Sequence, residues 1–104
     1  THCAELKNGS IKEFTIHPSD LDIPTAKITD ILGGEPKENA KEILNLFNGK
    51  KGAFRNVVIM NSASALVATG NANDLEEGTK MSVKSIDEGK ALKKLEMLIE
   101  MTNN

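Results

Sequence analysis

The stretch NVVIMNSASALVATG, Asn56 to Gly70, decides the fold. Val57-Val58-Ile59 alone would read as a strand. The run is nearly all apolar or small over its whole length, however, and that length favours a buried helix. Ala63, Ser64, Ala65 and Ala68 would let other helices approach closely. A buried Asn61 must find partners for its donors and acceptor, and a bond to a neighbouring loop is expected over a substrate contact. Ser62 and Ser64 stand in no G-x-S-x-G turn, so they read as packing residues whose hydroxyls bond back to helical carbonyls.

Working outward, a helix is predicted from Pro36 to Asn48. Ala40, Ile43, Leu44 and Phe47 make its apolar face, Pro36 suits the first helical position, and Gly49 closes it. On the other side, Asp74 opens a helix as N-cap, with Glu77 completing a capping box and the end near Gly89. A last helix turns Ala91, Leu92, Leu95, Leu98 and Ile99 inward, and the Asn103-Asn104 tail is expected to fray. Near the start, CAELKNGSIKEFTI (Cys3–Ile16) reads as a β-hairpin turned at Asn8-Gly9. Leu6 then faces Ile11, and Glu5 faces Lys12 as a cross-strand ion pair. Phe14 and Ile16 fall on the face opposite Ile11, which implies two covered faces or a bulge near Glu13. His17 to Pro24 is a loop. A short helix follows, with Thr25 as N-cap, Ile28, Ile31 and Leu32 inward, and Gly33 as its C′ residue. The fold class is α+β: a β-hairpin followed by four to five helices, in one domain.

Hydrophobic residues make up 38% and charged residues 27%, enough apolar content to bury a core. With three Phe and no Tyr or Trp, that core is aliphatic and Ala-rich. The net charge of −2 supplies no basic field for nucleic acid, and the one basic cluster, Lys50, Lys51 and Arg55, reads as a solvated loop. A single cysteine, Cys3, forms no internal disulfide and fits a reducing, cytoplasmic setting. No apolar run is long enough to span a membrane, and the opening residues do not have the pattern of a secretory leader. Strand-like sequence begins at once, without an initiator Met, so the chain is expected to be cut from a longer one.

Gly33-Gly34 lies just ahead of a helix, where free N–H groups and the helix dipole can hold a phosphate. Glu35 and Glu38 already put negative charge there, and no Lys-Ser or Lys-Thr follows. The glycines therefore read as punctuation between two helices. His2, His17 and Cys3 could approach across the hairpin, but no second ligand pair supplies zinc spacing. Asp20-x-Asp22 reads as a loop turned by its own side chains. By residue chemistry, no catalytic, substrate-binding or metal-binding residue is expected in this chain.

Six stretches in order, THCAELKNGSIKEFTIHPSDLDIP, GGEPKENAKEIL, GKKG, VIMNSASALVATG, DLEEG and SIDEGKALKKLEML, resemble the C-terminal end of the anthranilate phosphoribosyltransferase family. The resemblance implies that residues 1–104 are the C-terminal segment of a larger α/β catalytic domain. It implies a parent that makes N-(5-phosphoribosyl)anthranilate and pyrophosphate from anthranilate and phosphoribosyl pyrophosphate, in tryptophan biosynthesis. That parent uses magnesium, carries a further helical domain and is a homodimer. The family's glycine-rich loop, anthranilate contacts and Asp-Glu metal pair would all precede Thr1, so no site residue transfers to this chain, which would be inactive alone. Two departures are seen. Leu21-Asp22 stands where the family has Phe-Gly, so Asp22 is expected to hold a left-handed turn, and Cys3 replaces an aliphatic residue. The alternative is a non-enzymatic homologue, or a small α+β interaction module binding a protein or nucleic acid.

Overall fold

The computed structural model describes residues 1–103. A two-stranded antiparallel sheet, β1 (His2–Lys7) and β2 (Ser10–Thr15), precedes four α-helices among the described residues: α1 (Pro36–Phe47), α2 (Ala53–Ala68), α3 (Leu75–Asp87) and α4 (Lys90–Thr102). The α+β arrangement is as the sequence predicts.

The hairpin keeps the expected register, with Leu6 opposite Ile11 and Glu5 opposite Lys12. Asn8 and Gly9 both have positive φ, 52° and 78°, as a type I′ turn demands. The ladder is continuous, with no bulge at Glu13. The Glu5–Lys12 ion pair does not form. The Lys12 ammonium lies 6.0 Å from the centroid of the Phe14 ring on its own strand instead. Only one face is covered: Cys3 and Phe14 are half-buried on it, while Leu6 and Ile11 are 72% and 73% exposed on the other.

A 3-10 turn over Pro18–Leu21 ends at Asp22, whose φ of 56° gives the left-handed turn expected there. The helix predicted from Thr25 is replaced by a single 3-10 turn, Ile28–Ile31, that starts after Lys27. The Asp30 carboxylate accepts the Lys27 N–H at 2.9 Å, which closes one turn and no more. Ile28 and Leu32 are exposed, and only Ile31 reaches the body, beside Val57 and Met60. A turn this short needs tertiary packing to persist, and this one takes it from α2, against which Ile31 lies. Gly33 is not a left-handed C′ residue, because the chain leaves the turn at Leu32 in an extended conformation.

α1 starts at Pro36 as predicted, but a different face is buried. Leu46 is 2% exposed, while Ala40, Ile43 and Leu44 are exposed and Phe47 is half-buried. The buried line lies about 100° round the helix from the centre of the predicted stripe. The apolar surface of α1 is broad, and the described residues cover one flank of it only. α4 shows the same pattern along its length. Ala91, Leu92 and Leu95 are half-buried, but Leu98 and Ile99 are exposed, since the helix runs out past the body. Of the tail expected to fray, Asn103 closes the last turn by donating from Nδ2 to Ile99 O at 2.8 Å, and Asn104 lies outside the described residues.

α2 is the centre of the molecule. Arg55, Ile59 and Ala63 form its buried line, and Gly78, Ser82 and Ile86 form that of α3, each at i, i+4, i+8. The two lines meet so closely that a Cβ on Gly78 would lie 2.8 Å from Ala63 O. Ile23, Leu46, Ile59 and Ile86 make the core cluster beside this contact. α3 is capped by Asp74, whose carboxylate accepts the Glu77 N–H at 2.8 Å. Glu77 reaches one residue beyond the predicted box and accepts from Asn73 N–H at 3.1 Å.

The whole is open for its size. The accessible surface is 7881 Å² at 11.2 kDa, against about 5,700 Å² for a folded monomer of that mass. The radius of gyration is 15.2 Å, against about 13 Å for a compact domain of this length. No helix among the described residues is long and apolar enough to cross a membrane.

Candidate functional site

The Gly33-Gly34 loop uses its donors internally. Gly34 N–H donates to Asn39 Oδ1 at 2.8 Å, and Asn39 Nδ2 donates back to Gly34 O at 3.0 Å. Glu35 N–H donates to Glu38 Oε2 at 3.0 Å. The Glu38 carboxylate and the Asn39 amide fold back over the two glycines, close enough that a Cβ on either would displace them. The N–H groups that a phosphate would need already meet a neutral amide and a carboxylate.

His17 caps the Pro18–Leu21 turn. Its Nδ1 accepts the Ser19 N–H at 3.3 Å and lies 2.7 Å from Ser19 Oγ, while Asp20 Oδ2 accepts the His17 N–H at 2.9 Å. Cys3 Sγ sits 3.7 Å from Thr1 O. Among the described residues, no three His, Cys, Asp or Glu side chains gather as a metal site.

Asn61 is exposed rather than buried, and its Nδ2 donates to Val57 O at 2.9 Å, one turn back in its own helix. A long helix half-covered by its neighbours leaves that side open to solvent, so the loop partner expected for Asn61 is not needed. Ser64 Oγ donates to Met60 O at 3.0 Å, the back-bond that the sequence suggests.

The basic cluster is where sequence reasoning misses most. Lys50 Nζ is 3.0 Å from Glu42 Oε2, and Arg55 is not on a solvated loop. It lies in the first turn of α2 at 6% exposure, reaching the end of α3. Nη2 donates to Asp87 Oδ2 at 3.1 Å, and Nη1 lies 2.9 Å from Oδ1 without a hydrogen-bond alignment. The Arg55 guanidinium holds the Asp87 carboxyl below its usual range. The hydrogen bond from Lys50 does the same for Glu42. A signal was present: Arg55 precedes Ile59 and Ala63 on one helical line. The arrangement ties the start of α2 to the end of α3. It brings together no nucleophile and base, and no pair of carboxylates.

Two grooves of larger size remain. One of about 690 Å³ lies between α2, α3 and the start of α4, over Val58, Leu66 and Ile86. The other, of about 710 Å³, runs between β1 and the second half of α2.

Residues 1–92 match the glycosyl transferase family, a/b domain, and the chain belongs to that family. It is 44% identical over 100 residues to the anthranilate phosphoribosyltransferase of Parvibaculum lavamentivorans, which covers 96% of this chain and 29% of that protein. It is 43% identical over 103 residues to the enzyme of the same name from Methanococcoides burtonii, covering 99% of this chain and 29% of that one. For Methanobrevibacter smithii the identity is 41% over 104 residues, covering 100% and 31%. The chain thus spans about three tenths of the length of the curated relatives it matches.

Proposed function

We propose that these residues are a scaffold segment of an anthranilate phosphoribosyltransferase. One observation carries the reading: nearly every residue of the chain aligns at above 40% identity with proteins of that name, while covering under a third of each. The openness of the fold supports it. Its excess surface of about 2,200 Å² is well over the ~800 Å² per partner of a standard interface. Ile43, Leu44, Leu98 and Ile99 belong to that excess.

In this reading the parent forms a bond from the anthranilate amine to the ribose anomeric carbon. The bond from that carbon to pyrophosphate breaks, and the amine gives up a proton. Magnesium, a homodimeric state and a cytoplasmic location belong to the parent. Among the described residues no three His, Cys, Asp or Glu side chains gather as a metal site, and no step of the reaction is assigned to them. Their part is to hold the domain together through α2 and α3.

The test is anthranilate fluorescence, which falls as the product forms. With phosphoribosyl pyrophosphate and magnesium, the complete gene product should consume anthranilate and the purified 104-residue chain should not. Turnover by the short chain, or none by the complete product, would overturn the reading.

A further inference from the structure

The chain holds two Asn-Gly pairs, Asn8-Gly9 and Asn48-Gly49. Their covalent chemistry is the same, and so is the room around them: a Cβ on either glycine would meet nothing within 4 Å. Their hydrogen bonding is opposite. Asn48 closes α1, with its Nδ2 donating to Leu44 O at 2.9 Å and Gly49 N–H donating to Leu46 O at 3.0 Å. Among the described residues, nothing pairs with the Asn8 side-chain amide or with the Gly9 N–H.

The first pair also sits where the structure opens most easily. It is the tip of a two-stranded ladder, and every residue from Leu6 to Glu13 is exposed. The left-handed conformation of Asn8, with φ of 52°, is held by the Lys7–Ser10 end of that ladder. Releasing it uncovers no buried residue, and such ends open at little cost. Releasing Asn48 means undoing the last turn of α1, beside buried Leu46.

We propose that Asn8 is a modification site, which loses its side-chain amide to attack by the backbone, and that the fold spares Asn48. Solvent hydroxide takes the Gly9 amide proton, and the nitrogen forms a bond to Asn8 Cγ. The Cγ–Nδ2 bond breaks, and Nδ2 leaves as ammonia with a proton from water. Water then opens the cyclic imide. Breaking the new Cγ–N bond gives aspartate. Breaking the bond from the backbone carbonyl carbon to nitrogen gives isoaspartate, with the chain running through Cβ and Cγ. The net change consumes water and releases ammonia. Aspartate keeps the turn, since Asp-Gly also accepts both positive φ values. Isoaspartate adds a backbone atom, so the loop no longer joins Lys7 to Ser10 in the same register. At Asn48, the attacking nitrogen and the departing amide must first give up their hydrogen bonds.

Mass spectrometry of the complete gene product tests this, after folded incubation at mildly alkaline pH in heavy-oxygen water and digestion in acid. The Asn8 peptide should become a labelled acid at least about tenfold faster than the Asn48 peptide, which waits on local opening of α1. It should appear as separable aspartate and isoaspartate forms. In urea, where both pairs are free, the two rates should converge. Equal rates in the folded protein or a faster Asn48 would overturn the proposal. So would aspartate without isoaspartate, which marks direct hydrolysis of the amide. A difference that persists in urea would overturn it too, because neighbouring sequence and not the fold would then be the cause.

Discussion

Gly78→Ala is the substitution whose outcome depends most directly on the tertiary structure. In an isolated helix it stabilises, by about 1 kcal/mol, because alanine has the better helix propensity. Here the new Cβ would stand 2.8 Å from Ala63 O, 3.0 Å from Ala63 Cα and 3.2 Å from Ala63 C. All three are backbone atoms of α2 and cannot swing aside as a side chain would. α3 must withdraw by about half an ångström or more, and Ser82 and Ile86 lie on the same buried line. Overpacking of this kind costs about 1–3 kcal/mol, and contact with a helix backbone belongs in the upper part of that range. Subtracting the propensity gain leaves a net loss of about 1–2 kcal/mol, a fall in melting temperature of roughly 4 °C or more. Urea denaturation of Gly78→Ala beside Lys80→Ala, an exposed site on the same helix, would measure it. An alanine variant as stable as the parent sequence would show that α2 and α3 do not touch at this point.

Leu46→Ala should cost about 2–5 kcal/mol, while Ile43→Ala, at a residue 38% exposed, should cost less in the 104-residue chain; the reverse order in denaturation would restore the face read from the sequence. Asp74→Ala should cost about 1 kcal/mol through loss of the α3 cap, visible as a lower urea midpoint. Asp87 has a folded pKa below its unfolded value, so its contribution is complete above the ordinary carboxylate range and is lost as pH falls through the depressed value. Denaturation midpoints should therefore drop at acid pH, with a shallower fall in Asp87→Asn; a variant with an unchanged acid limb would remove Asp87 from the account.

The local grammar of this chain is legible in the sequence. Asn8-Gly9 specifies its turn because positive φ at two successive residues is a backbone demand, and Asp74 specifies a cap because its carboxylate reaches only its own helix. Pro36, the end near Gly89 and the helical reading of Asn56–Gly70 are of the same kind. The likeness to a transferase family came from ordered motifs, not from any one site.

What the tertiary structure decided was which apolar residues found a partner. Ala40, Ile43 and Leu44 make as good an inward stripe as any, yet Leu46 is the residue in the core. The described neighbours of α1 meet one flank of it only. Leu98 and Ile99 repeat the case on α4, and Ile28 and Leu32 on a turn too short to be helical without support. Arg55 went the other way, from apparent solvent into the interior, because Asp87, 32 residues later, stands where its guanidinium ends. Periodicity reports that a face can be buried. Only the position of the other elements fixes whether anything lies against it, and that information is spread over residues far apart in the chain.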